Sequence, residues 1–118
     1  IIIVALDCDA AMMIQSTYDY YADRAAHPNY TNAFAVMSRE YFLPFDVQSA
    51  ASGLSMPFLQ VHGPNALNPG WAAKFYDAVT SDKEYFTIAS NDQTDIYDDP
   101  QIVATAADRV AAFLLAHL

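Results

Sequence analysis

Pro57-Phe58-Leu59-Gln60-Val61-His62-Gly63, Asn68-Pro69-Gly70-Trp71-Ala72-Ala73-Lys74-Phe75-Tyr76 and Lys83-Glu84-Tyr85-Phe86-Thr87-Ile88-Ala89-Ser90 follow one another along the chain, and their order decides the fold. The first segment is a short, mostly apolar run stopped by Gly63 and Pro64, which reads as a strand. Asn68-Pro69 then predicts a helix start, with Asn as N-cap and Pro at the first helical position. Trp71, Phe75 and Val79 recur every four residues and predict one apolar stripe on that helix. The third segment reads as a second strand. After a loop from Asn91 to Asp98, Asp99-Pro100 predicts the cap of a last helix, with Val103, Ala106, Val110, Phe113 and Leu114 facing the core.

Working outward to the N-terminal side, Ile1-Ile2-Ile3-Val4-Ala5-Leu6 is a β-branched run ended by Asp7, as expected of a strand buried on both faces. A helix is expected from Ala10 to about Asp23, with Met12, Met13, Tyr20 and Tyr21 available for burial. His27-Pro28-Asn29 reads as a turn, Thr31 or Asn32 as the cap of a short helix carrying Phe34, Ala35 and Met37, and a second short helix is expected after Pro44. Strand and helix thus alternate three times. The expected fold is α/β, a single domain over residues 1–118 with a short, mainly parallel three-stranded sheet flanked by helices and right-handed crossovers.

Composition narrows the function. The chain has 118 residues, 54% of them hydrophobic, with 14 acidic against 5 basic side chains and a formal charge of −9. Nucleic acid is excluded as an expected partner, because phosphate binding uses clustered Lys and Arg to displace counterions, and an anionic membrane surface is disfavoured for the same reason. Ile1–Leu6 is far shorter than the roughly 20 apolar residues of a spanning helix. With no basic stretch before it and no initiator Met, the start reads as a trimmed or fragmentary end rather than a signal peptide. One cysteine, Cys8, cannot form an internal disulfide, so a reducing, cytoplasmic location is expected. No Cys/His cluster has zinc-like spacing and no glycine-rich phosphate loop is present, so neither metal nor cofactor is expected.

From about Tyr18 to Leu118, and most specifically over residues 56–118, the chain resembles the C-terminal half of an α/β-hydrolase, specifically the dienelactone-hydrolase-like branch of that superfamily. The strand P-F-L-Q-V-H-G, the helix with W-A-A-K-F-Y, the strand after K-E, the loop D-Q-T-D-I-Y-D-D-P and the terminal amphipathic helix carry the likeness, and Tyr20-Tyr21 through Ser38 extends it more faintly. The resemblance implies a hydrolase acting on a small ester, lactone or related carbonyl compound. It also implies a triad acid after His62-Gly63 and a triad His in the loop after the last strand. This chain departs from both positions, with Pro64-Asn65-Ala66 at the first and Gln93 at the second, and the nucleophile elbow belongs to the other half of that fold. An amide accepts no proton at useful pH, so Gln93 cannot serve as the base, and Asn65 cannot stabilise an imidazolium as a carboxylate does. The residues that the resemblance singles out are Gln93, Asn65, Asp95 and His62. Gln93 could orient a water or a substrate oxygen, or simply anchor its loop; His62 sits at a strand end, where parallel sheets place ligands, or packs beside Gly63. Asp95 is a further carboxylate in the same loop, and Asp98 and Asp99 suit the positive end of the last helix dipole.

Other candidates have plainer readings. Cys8 lies between a strand and a helix, the context of a nucleophile elbow, yet Asp7 and Asp9 oppose thiolate formation and no glycine permits the strained turn. Asp7-Cys8-Asp9 after an apolar strand resembles the D-x-D start of haloacid-dehalogenase-type phosphatases, although Ala11 stands where that pattern has Thr or Val, and Asp9 also suits a helix N-cap. Tyr18, Tyr20, Tyr21, Tyr30, Tyr41, Phe42 and Phe45 form a dense aromatic group that suits a core or an interface. Two function classes remain open: a hydrolase that needs a complementing, nucleophile-bearing half, or a non-catalytic binding or assembly module on the same scaffold. A bare apolar sheet edge invites pairing, so a homodimer is the expected assembly.

Overall fold

The computed structural model describes residues 14–29, 37, 39–42 and 44–117. The chain divides into two compact units, Ile1–Phe45 and Asp46–Leu118. The expected strand Ile1–Leu6, with Asp7, Cys8 and Asp9 after it, and the capped helix at Thr31 or Asn32 lie outside the described residues.

In the first unit, α1 spans Gln15–Tyr18 and runs directly into a π-helical stretch, Asp19–Arg24, within the helix expected from Ala10 to Asp23. Gln15 Nε2 donates to Asp19 Oδ1 one turn on, at 2.6 Å. The rings of Tyr20 and Tyr21 meet edge to face at 4.9 Å, and the Arg24 guanidinium lies 5.3 Å from the Tyr20 ring centre. Asn29 N–H donates to His27 Nδ1 at 3.2 Å, closing the expected turn. A short α2, Arg39–Phe42, follows. Tyr18, Tyr21, Tyr41 and Phe45 are exposed, so those four side chains are not a buried core.

The second unit holds the sheet. A 3-10 helix, Gln48–Gly53, stands where a short helix is expected after Pro44. β1 (Phe58–His62), α3 (Pro69–Ala78) and β2 (Lys83–Thr87) form a strand–helix–strand unit, followed by a single turn, α4 (Asp95–Asp98), and the long α5 (Pro100–His117). β1 and β2 pair in parallel, in register from Phe58 opposite Lys83 to His62 opposite Thr87. The fold is therefore mixed helix and strand, with two strands in the sheet among the described residues in place of the three expected. Ile88, read as part of the second strand, continues the ladder by donating its N–H to the His62 carbonyl at 3.1 Å, but Ala89 and Ser90 turn away.

Alternation along β1 sends successive side chains to opposite faces of the sheet. Phe58 and Gln60 meet α3: the rings of Phe58 and Phe75 lie 5.7 Å apart, and Gln60 Nε2 donates to the Ala72 carbonyl at 2.9 Å. The aromatic pair Tyr76–Tyr85, 5.2 Å between centres, extends this layer across β2. On α3 the covered residues are Ala72, Phe75, Tyr76 and Val79, spaced i, i+3, i+4, i+7. A strict four-residue repeat drifts by about 40° per step around a helix of 3.6 residues per turn, which corrects the expected stripe: Trp71 is 58% exposed and only Phe75 and Val79 reach the interior.

Lys83 opens β2 and closes α3. Its Nζ donates to the carbonyls of Tyr76, Asp77 and Val79 at 2.7, 3.1 and 2.8 Å. An ammonium against the negative end of a helix dipole satisfies carbonyls that have no partner within the helix. At the other end of α3, Asn68 is left-handed, with φ 54° and ψ 52°, and its side chain makes no capping bond. The expected side-chain cap is thus replaced by backbone: the Asn68 carbonyl accepts Trp71 and Ala72 N–H at 3.0 and 3.1 Å. Asn tolerates this conformation better than most residues.

α5 begins as its sequence predicts. Asp99 Oδ1 accepts the amides of Gln101 and Ile102 at 2.9 and 3.1 Å, with Pro100 at the first helical position. Its covered stripe is Ile102, Ala106, Arg109 and Phe113, so Ala106 and Phe113 of the expected set are covered while Ile102 and Arg109 stand in place of the other three. Arg109 takes its place there because its guanidinium pairs with Glu84 of β2. Val103, Val110 and Leu114 are consequently exposed to more than a third, a correction to the predicted core. His117 ends the helix with Nδ1 at 2.8 Å from the Phe113 carbonyl and Nε2 at 3.2 Å from Asp82 Oδ2.

Candidate functional site

The carboxyl ends of β1 and β2 lie side by side, so the two loops that leave them meet; in parallel sheets ligands bind at this end of the strands. Gly63 is the point of closest approach. A Cβ there would lie 2.4 Å from Ser90 Oγ and 3.0 Å from the Ile88 carbonyl oxygen, so only glycine fits without displacement. This contact brings residues 63–68 against residues 88–95.

Amide side chains then stitch the two loops together. Asn65 Nδ2 donates to the Ser90 carbonyl at 3.0 Å. Gln93 Oε1 accepts the Leu67 N–H at 3.1 Å, while its Nε2 donates to the Tyr97 hydroxyl oxygen at 2.9 Å. Gln93 therefore bridges three segments: the loop after β1, its own loop, and α4. Asp95 Oδ2 accepts both the backbone N–H and the side-chain Nδ2 of Asn91, at 2.8 and 3.0 Å. Beneath it, Asp92 Oδ1 accepts the Thr94 N–H and hydroxyl, both at 2.7 Å, with Asp95 N–H at 3.3 Å. Thr94 is almost wholly buried, so this turn is the fixed floor of the loop. His62 Nδ1 faces the Gly63 carbonyl at 2.9 Å, a contact that needs the proton on Nδ1.

Of the four residues singled out in the sequence, Gln93 and Asn65 meet at one junction, Asp95 serves the second loop internally, and His62 turns to its own neighbour. No hydrogen bond or ion pair joins His62 to Gln93, Asn65 or Asp95 among the described residues. Chemically the junction offers amide donors and acceptors, a phenol and carboxylates. These can hold a carbonyl or hydroxyl compound but supply no neutral-pH base beside a nucleophile. Among the described residues no group of three or more His, Cys, Asp or Glu side chains is placed to hold a metal ion, and no helix is long and apolar enough to cross a membrane.

Sequence reading passed over Ser90, Asn91, Asp92, Thr94 and Tyr97. Asp92-Gln93-Thr94 did carry a signal, since Asp followed two residues on by Thr is the pattern of a side-chain-closed turn. Ser90 carried none: its Oγ is buried without a hydrogen-bond partner, beside the space that a Cβ on Gly63 would need. No family model, curated protein or solved structure matches the chain.

Proposed function

We propose that the chain is an α/β-hydrolase-like segment of the dienelactone-hydrolase-like branch, whose paired carboxyl-end loops form one wall of a site for a small ester or lactone. Hydrolysis at that wall requires a nucleophile and base from a complementing half. The reading is supported by the parallel β1–β2 pair with its helical crossover, and by the fact that the polar side chains of residues 63–68 and 88–95 gather where the strands end. In this reading Gln93 and Asn65 position the wall, and the Tyr97 hydroxyl, held by Gln93, is assigned to contact a substrate oxygen.

A second reading is favoured by one observation. Both ends of the Gln93 amide are occupied, by Leu67 N–H and by the Tyr97 hydroxyl, as in a loop staple rather than a group waiting for a ligand. In that reading the scaffold is a non-catalytic binding or assembly module working as a homodimer, in the cytoplasm.

Turnover of p-nitrophenyl acetate tests the first reading. The purified chain alone is expected to leave the background hydrolysis rate unchanged. Hydrolysis by the chain alone, abolished in Gln93→Ala, would overturn the requirement for a complementing half.

A further inference from the structure

His117 closes α5 with both ring nitrogens engaged. Nδ1 lies 2.8 Å from the Phe113 carbonyl, and Nε2 lies 3.2 Å from Oδ2 of Asp82, in the turn before β2. A carbonyl and a carboxylate can only accept, so each nitrogen must carry a proton, and a ring with two protons is the charged imidazolium. Three neighbours favour that charge: the Asp82 carboxylate, the carbonyls at the negative end of the α5 dipole, and the Phe113 ring, 4.2 Å away between centres. The Asp82 backbone is in turn fixed to the sheet, since its carbonyl accepts the Phe58 N–H at 2.9 Å at the start of β1. The bond from His117 to Asp82 thus ties the last turn of α5 to the strand layer.

We infer that this contact is a pH-sensitive clasp, closed while His117 is charged and open once it is neutral. Imidazole is the side chain that ordinarily changes charge between pH 5 and 8. As pH rises through that range one ring proton leaves, and the nitrogen left with a lone pair then faces an acceptor. One of the two bonds is thereby replaced by repulsion, so the clasp holds at the acid end of the range and lets go at the alkaline end. The neighbouring charges are committed elsewhere. Lys83, next to Asp82, turns its ammonium onto the carbonyls of Tyr76, Asp77 and Val79, and Lys74 of α3 lies over the Trp71 ring. Arg109, two turns back along α5, pairs with Glu84 of β2, and His62 stands at the end of β1 opposite to Phe58.

The test is amide hydrogen exchange in Leu114–His117 of the whole chain at two pH values, one at each end of that range, with each rate referred to the intrinsic rate at its own pH. The nitrogen resonances of the His117 ring are followed in the same samples. The Asp82 side chain is 75% exposed and that of His117 28% exposed, which limits the effect to the few-fold change of a surface ion pair. Protection in the wild type is expected to be about two- to fivefold higher at the acid end, where both ring nitrogens carry protons. Asp82→Ala and His117→Leu are expected to lose that difference while keeping the wild-type circular dichroism. A single neutral tautomer at the acid end, or equal protection at both pH values in the wild type, would overturn the clasp. A pH dependence that survives in either variant would also overturn it, by placing the titrating group elsewhere, as at His27 or His62.

Discussion

Replacing Gln93 by Leu removes both halves of the amide staple while keeping most of the side-chain volume. Leu67 N–H, in a half-covered setting, then loses its acceptor, and the Tyr97 hydroxyl loses a donor in a more exposed one. A lost hydrogen bond costs roughly 0.5–1.5 kcal/mol net, with the larger share at the covered end, so the sum is about 1.5–2 kcal/mol. For a unit of this size that lowers Tm by about 6–16 °C. Gln93→Glu separates staple from packing. A carboxylate still accepts from Leu67, and the Tyr97 hydroxyl can turn to donate to it, so the expected loss is about 0.5 kcal/mol. Asp92 and Asp95 are close in sequence, so the comparison belongs at about 0.5 M salt, where their repulsion of a new carboxylate is screened. Urea unfolding followed by circular dichroism gives the free energies. Trp71, the one tryptophan, sits in the first turn of α3 and reports on the loop-to-helix junction by fluorescence. Equal losses in the Leu and Glu variants, or a loss under about 0.3 kcal/mol in Gln93→Leu, would refute the staple.

Three further outcomes are expected. Gly63→Ala destabilises by about 1–3 kcal/mol through its clash with Ser90 Oγ and the Ile88 carbonyl; adding Ser90→Ala recovers part of this, and strict additivity in the double-mutant cycle would contradict the contact. Lys83→Met strips the ammonium from three carbonyls at the end of α3 and lowers stability by about 2 kcal/mol in urea titration, with a change below about 0.5 kcal/mol speaking against that cap. Asp99→Ala leaves two amides of α5 without their acceptor and lowers Tm by an amount matching about 1 kcal/mol; Asp99→Asn, which keeps an oxygen there, is expected to recover most of it.

Much of the second unit was legible because its signals are local. Phe58–His62 is a short, mostly apolar run stopped by Gly63 and Pro64, Lys83–Thr87 is centred on the β-favouring Tyr85-Phe86-Thr87, and Asp99-Pro100 names its own cap. What the sequence could not supply was phase. Arg109 sits on the covered stripe of α5 with Glu84 of β2 as its ion-pair partner, a pairing across 25 residues that no helical period encodes. Val110 and Leu114 are exposed instead of in the core, while Ala106 and Phe113 are covered as expected. Asn68 shows the same limit on a smaller scale. Asn-Pro marks a helix start whether the asparagine caps with its side chain or bends its own backbone, and the structure takes the second course. At the candidate site, Gln93 and Asn65 stand out only against the α/β-hydrolase pattern that the sequence resembles. Their partners, Leu67 N–H and the Ser90 carbonyl, are backbone groups that no sequence reading can single out.

The proposed function places one wall of a site for a small carbonyl compound on the two loops leaving the parallel strands. The direct test is titration of the isotopically labelled chain with a small lactone, followed through backbone amide resonances. Saturable shifts confined to residues 63–68 and 88–95 and to Tyr97, diminished in Gln93→Leu, are expected. Shifts centred on other residues, or none up to the solubility of the lactone, would contradict it.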